Sequence, residues 1–160
     1  MTDSHEADIL IAGVGHPLMG DDALGLEVLR KIEEDAMLPR TRLFYAGSAP
    51  VDILGELSGV KKLIVIDALQ GVPPGAIIKQ HFSPTIPALE INEVETHGIG
   101  LVQTLCLAHE LMPDIDIIII GVGAEPMATP GLPLSQSLHE QIPALIRIIK
   151  DEVAVSLTRI

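Results

Sequence analysis

The chain is poor in several things that function classes need. It has one cysteine, no tryptophan, one tyrosine and two phenylalanines in 160 residues. A lone Cys106 excludes an intramolecular disulfide and any zinc or iron–sulfur site built from several cysteines. That economy fits a reducing compartment, and a cytoplasmic location is the expectation. Phe44, Tyr45 and Phe82 are too few rings to make a stacking platform for single-stranded nucleic acid. Basic residues are scarce as well: 10 Lys plus Arg stand against 22 Asp plus Glu, a net charge of −12. Such a surface repels the phosphates of nucleic acid and anionic lipid. Long apolar runs are missing too. Ile117–Ile120 is bounded by Asp116 and Gly121, so no stretch has the length of a membrane helix. Met1–Asp8 is polar and acidic, unlike a signal peptide, and residues 1–7 are expected to form a flexible tail.

What the chain does contain is aliphatic. Apolar residues make up 48% of it, enough for one core of Ile, Leu, Val and Ala, and residues 1–160 are expected to form one domain. Apolar runs alternate with amphipathic stretches. Ile9–Val14, Thr41–Ala46, Lys62–Ile66 and Asp116–Val122 read as strands, and Ala76–His81 as a weaker one near an edge. Helices are expected from Asp22 to about Ala36, over Val51–Leu57, over Gly98–Leu111 and over Ser135–Val153, the last kinked or restarted at Pro143. Ser83–Glu95 reads as irregular and Gly123–Pro133 as a long loop. This order predicts an α/β fold: a mostly parallel, twisted sheet flanked by helices on both faces. Right-handed crossovers then gather several strand C-termini at one edge, where such folds place their sites.

The first of those edges carries glycines without the rest of a nucleotide motif. In Gly13-Val14-Gly15 the third glycine of a dinucleotide fingerprint should stand at Leu18. Gly15 and Gly20 have P-loop spacing, but Asp21 and Asp22 follow instead of Lys and Ser/Thr. Two carboxylates at a helix start repel a phosphate. Asp21 is expected to cap the helix. Asp22 is either a second cap or a ligand or catalytic carboxylate facing the sheet edge.

Asp67 ends an almost wholly apolar strand, where a carboxylate needs a partner. It either accepts N–H bonds from its own turn or faces the same edge. His97 precedes the helix that begins near Gly98. If Asp22, Asp67 and His97 converge, they offer two oxygens and one imidazole nitrogen. That set suits a divalent first-row ion and leaves positions open for water or substrate. Other candidates are weaker. His109-Glu110 opens like a zinc-protease helix, but Pro113 stands where the second histidine belongs. No nucleophile elbow occurs, and Cys106 lies in an amphipathic helix. His16, His81 and His139 lack a partner spacing.

Several of these segments resemble the hydrogenase maturation endopeptidases, which process the large subunit of nickel–iron hydrogenases. The stretch from Gly13 to Gly25 (GVGHPLMGDDALG) resembles the family's opening motif. Ala46-Gly47-Ser48-Ala49-Pro50, Val65-Ile66-Asp67-Ala68 with Pro74-Gly75, Thr96-His97-Gly98, and Gly121–Pro126 with Leu132–Ser135 resemble its later motifs, in order. The resemblance implies a five-stranded sheet between helices. It implies metal contacts at Asp22, Asp67 and His97, which would also be the catalytic group. The implied partner is the hydrogenase large-subunit precursor, trimmed of a short C-terminal peptide once nickel is in place. The nickel is then carried by the substrate, and a resting metal of the protein's own is left open. His16, Tyr45 and Ala46 stand where the family commonly has Asn, Asp and Gly. The second and third alter the pocket that reads the residue before the cut. His16 either adds a nitrogen near the metal or hydrogen-bonds its own loop, and the loop role is the expectation. Two other readings fit the same triplet: a checkpoint protein that binds the precursor without cutting it, and a small-molecule metal amidohydrolase.

Overall fold

A computed structural model describes residues 7–35, 38–85, 99–125 and 130–159. In chain order the elements are β1 (Ile9–Val14), a 3₁₀ turn (Gly20–Ala23), α1 (Leu24–Asp35) and β2 (Thr41–Gly47). A second 3₁₀ segment (Pro50–Glu56), β3 (Lys62–Leu69) and β4 (Ile77–His81) follow, then α2 (Leu101–Leu111), β5 (Asp116–Gly123), α3 (Gln136–His139) and α4 (Ile142–Thr158). The five strands form one sheet in the order β2-β1-β3-β5-β4, parallel except for β4. The expected class is thus the observed one. No described helix is long and apolar enough to cross a membrane.

The central strands are apolar on successive residues because both faces are covered. On one face Ile9, Ile11, Ile64 and Ile66 pack with α1 and α4. On the other Leu10, Ala12, Leu63 and Val65 pack with α2 and the second 3₁₀ segment. Gly13 and Gly25 set how closely α1 lies on β1. A Cβ on Gly13 would stand 2.9 Å from the Gly25 carbonyl, and one on Gly25 would stand 2.9 Å from the Val14 backbone. Any side chain at either position pushes the helix off the strand end.

Three helix expectations change in detail. The first helix does not run from Asp22 as α-helix; a 3₁₀ turn precedes α1. Val51–Leu57 is the 3₁₀ segment Pro50–Glu56, with Pro50 at its start. Ser135–Val153 is two helices. Pro143 sits in the first turn of α4, where its missing N–H is not needed, so the chain restarts there rather than kinking. The expected tail (all but its last residue), most of the irregular stretch before α2, and His97 lie outside the described residues.

The topology creates one crevice. From β1 the chain moves outward to β2, then returns past β1 to β3. The connections leaving β1 and β3 therefore diverge, and a cleft opens at their C-terminal ends, as in other open α/β sheets. α2 reaches that same edge. It ends at Leu111, only a short turn before β5 begins at Asp116, so its C-terminus lies at the opposite edge. Its 11 residues span roughly 16 Å at about 1.5 Å each, which carries the helix start back to the crevice edge.

Candidate active site

The loop after β1 is built to hold Asp22. Gly15 takes φ +119°, and a Cβ there would fall 2.0 Å from the Asp22 carbonyl oxygen. Only glycine lets the chain double back so closely. The fold-back aims the His16 N–H at Asp22 Oδ2, 2.6 Å away. His16 Nδ1 in turn accepts the Leu18 N–H at 3.1 Å. His16 therefore has the loop role expected of it. The loop is also tied sideways to β2. The Gly15 N–H donates to Gly47 O at 2.8 Å, and the Tyr45 hydroxyl donates to Gly15 O. Tyr45 is directly opposite Gly13 in the β1–β2 register. Its pKa lies above the ordinary 10.0, first because the ring is buried and second because Asp22 is negative nearby; Arg30 opposes the shift.

Asp67 stands on β3 one residue beyond Ile66, which pairs with Gly13. It is half-buried and paired in register with Gly121 of β5. Ile64 and Ile66 belong to one layer, Leu63 and Val65 to the other. The alternation assigns Asp67 to the layer of α2. The 3₁₀ turn carrying Asp22 packs against β3. Two of the three expected site residues thus belong to elements that meet at the crevice. The third, His97, lies outside the described residues; Gly100, three residues later, precedes α2 at the same edge. Among the described residues no group of three or more His, Cys, Asp or Glu is placed to hold a metal ion.

The neighbour of Asp22 has a role the sequence did not show. Asp21 was expected to cap a helix; it lies in the first turn of the 3₁₀ segment, but its side chain bonds to another loop. It is buried and accepts the Glu125 N–H at 2.9 Å, the Ser135 N–H at 2.7 Å and the Ser135 hydroxyl at 2.8 Å. Backbone donors satisfy this charge at both feet of the loop after β5. Ser137 extends the network, donating to Glu125 Oε1 at 3.1 Å. Nothing local in the sequence signals these contacts, because 104 and 114 residues separate the partners. A second close approach shapes the other side. A Cβ on Gly123 would stand 2.1 Å from Pro73 O, so the loop after β3 lies directly over the end of β5.

Among the described residues, His81 and His139 lie apart from Asp22 and Asp67. His81 pairs with Asp116 at 3.2 Å near the opposite edge, and His139 is exposed in α3. Cys106 is half-buried in α2.

Two neighbouring elements that each bear a carboxylate, one of them fixed by a backbone N–H, carry the chemistry of hard oxygen ligands or a general base. Comparison with known proteins agrees in fold and family. The family model for HycI-type hydrogenase maturation proteases matches residues 26–152, an interval that contains Asp67 and His97 and begins just past Asp22. The chain is 32% identical over 162 aligned positions to the coenzyme F420 hydrogenase subunit delta of Methanothermobacter thermautotrophicus, covering 95% of this chain and 98% of that one. It is 30% identical over 100 residues to the hydrogenase 2 maturation protease of Escherichia coli, covering 61% and 60%. The solved structure of the hydrogenase-maturating endopeptidase HybD from Escherichia coli superposes with a TM-score of 0.78 at 25% identity, covering 92% of this chain and 93% of that one. The chain belongs to the hydrogenase maturation proteases, a membership that supports an endopeptidase role in hydrogenase maturation.

Proposed function

We propose that the protein removes a C-terminal peptide from the large-subunit precursor of a nickel–iron hydrogenase after nickel insertion. In this reading the precursor presents its nickel to Asp22, Asp67 and His97. Two carboxylate oxygens and an imidazole nitrogen grip the ion and leave coordination positions for the precursor and water. Seating the ion fixes the scissile peptide beside the same carboxylates, so recognition of nickel becomes positioning of the bond. A water held at the ion or against one carboxylate attacks the carbonyl carbon. The new C–O bond forms, the C–N bond breaks, and a proton from the water goes to the leaving amine. The single cysteine fits work on such a precursor in the cytoplasm.

One observation supports the reading: the 3₁₀ turn that carries Asp22 packs against β3, which carries Asp67 45 positions later, beside the switch point of the sheet, and the His16 N–H aims Asp22. The test is to incubate nickel-loaded precursor with wild type, Asp22→Asn and His97→Ala. Wild type is expected to shorten the large subunit. Either variant is expected to keep its melting temperature and lose trimming by about a thousandfold. Trimming at the wild-type rate in either variant would remove that residue from the mechanism.

A second reading draws on the Methanothermobacter thermautotrophicus relative, whose name describes a hydrogenase subunit. It is a protein that binds its hydrogenase and inspects the nickel without cutting. Under that reading the precursor binds in a nickel-dependent manner but keeps its full length.

A further inference from the structure

The two loops beside the crevice have apolar tips. The loop after β1 presents Pro17 and Leu18; the loop before α3 presents Leu132 and Pro133. Leu18 is 65% exposed and Leu132 51%. No charged residue lies between Gly15 and Gly20, or between Pro130 and Ser135, in a chain whose net charge is −12. Paired exposed leucines gain nothing for the fold, and apolar surface of this kind marks contact with another molecule.

These leucines are held up rather than left to collapse. The Gly131 N–H donates to the Leu18 carbonyl at 2.8 Å, joining the two tips. Gly131 reaches that position with φ +87°. Behind them, buried Asp21 accepts the N–H groups of Glu125 and Ser135, so both feet of the second loop stand on the first. A surface fixed in this way loses little conformational entropy when it is covered. Of the other large apolar side chains exposed among the described residues, Leu107, Leu111 and Val155 are borne by helices and Ile99 stands just before α2.

We propose that Leu18 and Leu132 form a docking ledge for the substrate polypeptide, taking an apolar segment of it next to the bond to be cut. The inference rests on the reading above that the substrate is a protein. Leu18 stands four residues before Asp22 in the same hydrogen-bonded loop, so whatever covers the ledge is delivered to the crevice. A second copy is a poor occupant, because two chains of −12 repel one another. Nucleic acid and anionic membrane are repelled by the same charge. An uncharged apolar segment of the protein being processed meets neither penalty.

The test uses the full chain with nickel-loaded precursor. Binding is measured by titration, and kcat and KM by the rate of trimming. Leu18→Gln and Leu132→Gln are each expected to weaken binding about tenfold, and the double variant about a hundredfold. KM should rise in step while kcat stays within about twofold. Leu111→Gln, on the far end of α2, should change neither. Wild-type binding and KM in the double variant would overturn the ledge. So would a dimer of the wild type that the leucine variants dissociate, since the occupant would then be a second copy. If wild type binds the precursor without cutting it and the variants fail to bind, the ledge stands and the protease reading falls. If wild type binds no precursor, both fall.

Discussion

The two ends of the sheet treat their carboxylates differently. At the N-terminal end of the parallel strands, acids meet cations. Buried Glu152 pairs with buried Lys62 at 2.8 Å and with Lys79; Lys62 also lies 3.4 Å from Asp116. Asp8 pairs with Arg40 at 2.6 Å. At the C-terminal end, the acids Asp21 and Asp22 accept backbone N–H groups instead. A cation beside a carboxylate neutralises it and competes for its oxygens. A backbone N–H aims the carboxylate and leaves its charge in place. One end is thus built to tie β3, β4 and α4 together, and the other to keep negative oxygens at a cleft.

That contrast makes opposite expectations for two similar substitutions. Asp22→Asn should lower trimming by about a thousandfold with little change in stability, because the amide oxygen still accepts the His16 N–H. Glu152→Gln should do the reverse. It leaves Lys62 buried without its closest anion, and should lower unfolding free energy by about 3 kcal/mol, with trimming unchanged at a temperature where the variant is folded. Denaturant titration beside a trimming assay separates the two; a matched loss of both properties in either variant would erase the distinction.

Acid sharpens the same point. Burial pushes the Glu152 carboxyl up, but hydrogen bonds from Lys62 and Lys79, with their charges, outweigh it and hold the pKa below the ordinary 4.5. A carboxyl depressed in the folded state stabilises fully above its unfolded pKa. That contribution fades as pH falls below about 4.5 and through the folded value. Denaturant titrations at stepped pH should show a shallower acid loss in Glu152→Gln than in wild type.

At the cleft end, Gly15→Ala should reduce trimming by about a hundredfold, because the new methyl group forces the Asp22 backbone away. An unchanged rate would mean that Asp22 need not stand where the loop puts it. The smallest effect is spectroscopic. With one tyrosine and no tryptophan, phenolate absorbance reports Tyr45 alone. It should titrate above the ordinary 10.0, and Asp22→Asn should bring it part of the way down, since burial remains. A titration curve indifferent to that substitution would place the Asp22 charge away from Tyr45.

The sequence was legible where causes are local. Strands buried on both faces wrote themselves as apolar runs, so β1 and β5 could be bounded closely, whereas β3 runs past its expected end at Ile66 through Asp67 to Leu69. The weak, polar spelling of Ile77–His81 matched an edge strand, although nothing in five residues tells its antiparallel direction. His16 was assigned to its own loop because its partner Leu18 is two residues away. Asp21 was misjudged as a cap for the opposite reason: its partners belong to a loop that only the fold brings near. The Lys62–Glu152 pair was silent likewise, its partners lying 90 residues apart. Asp22 and Asp67 were singled out because the loop after β1 and the far part of β3 share what the crossover rule makes a common edge, although Asp67 lies within β3, which runs on to Leu69. That rule gave a reason to expect convergence which spacing alone could not.

The most direct test of the central claim, that the crevice grips substrate-borne nickel and then cuts, is the intact mass of the large subunit after incubation with this protein. Nickel-loaded and nickel-free precursors are compared in parallel. The account expects the loaded precursor alone to lose its C-terminal peptide, and to keep it when Asp67→Asn replaces wild type. Equal shortening of both precursors, or of neither by the wild type, would contradict it.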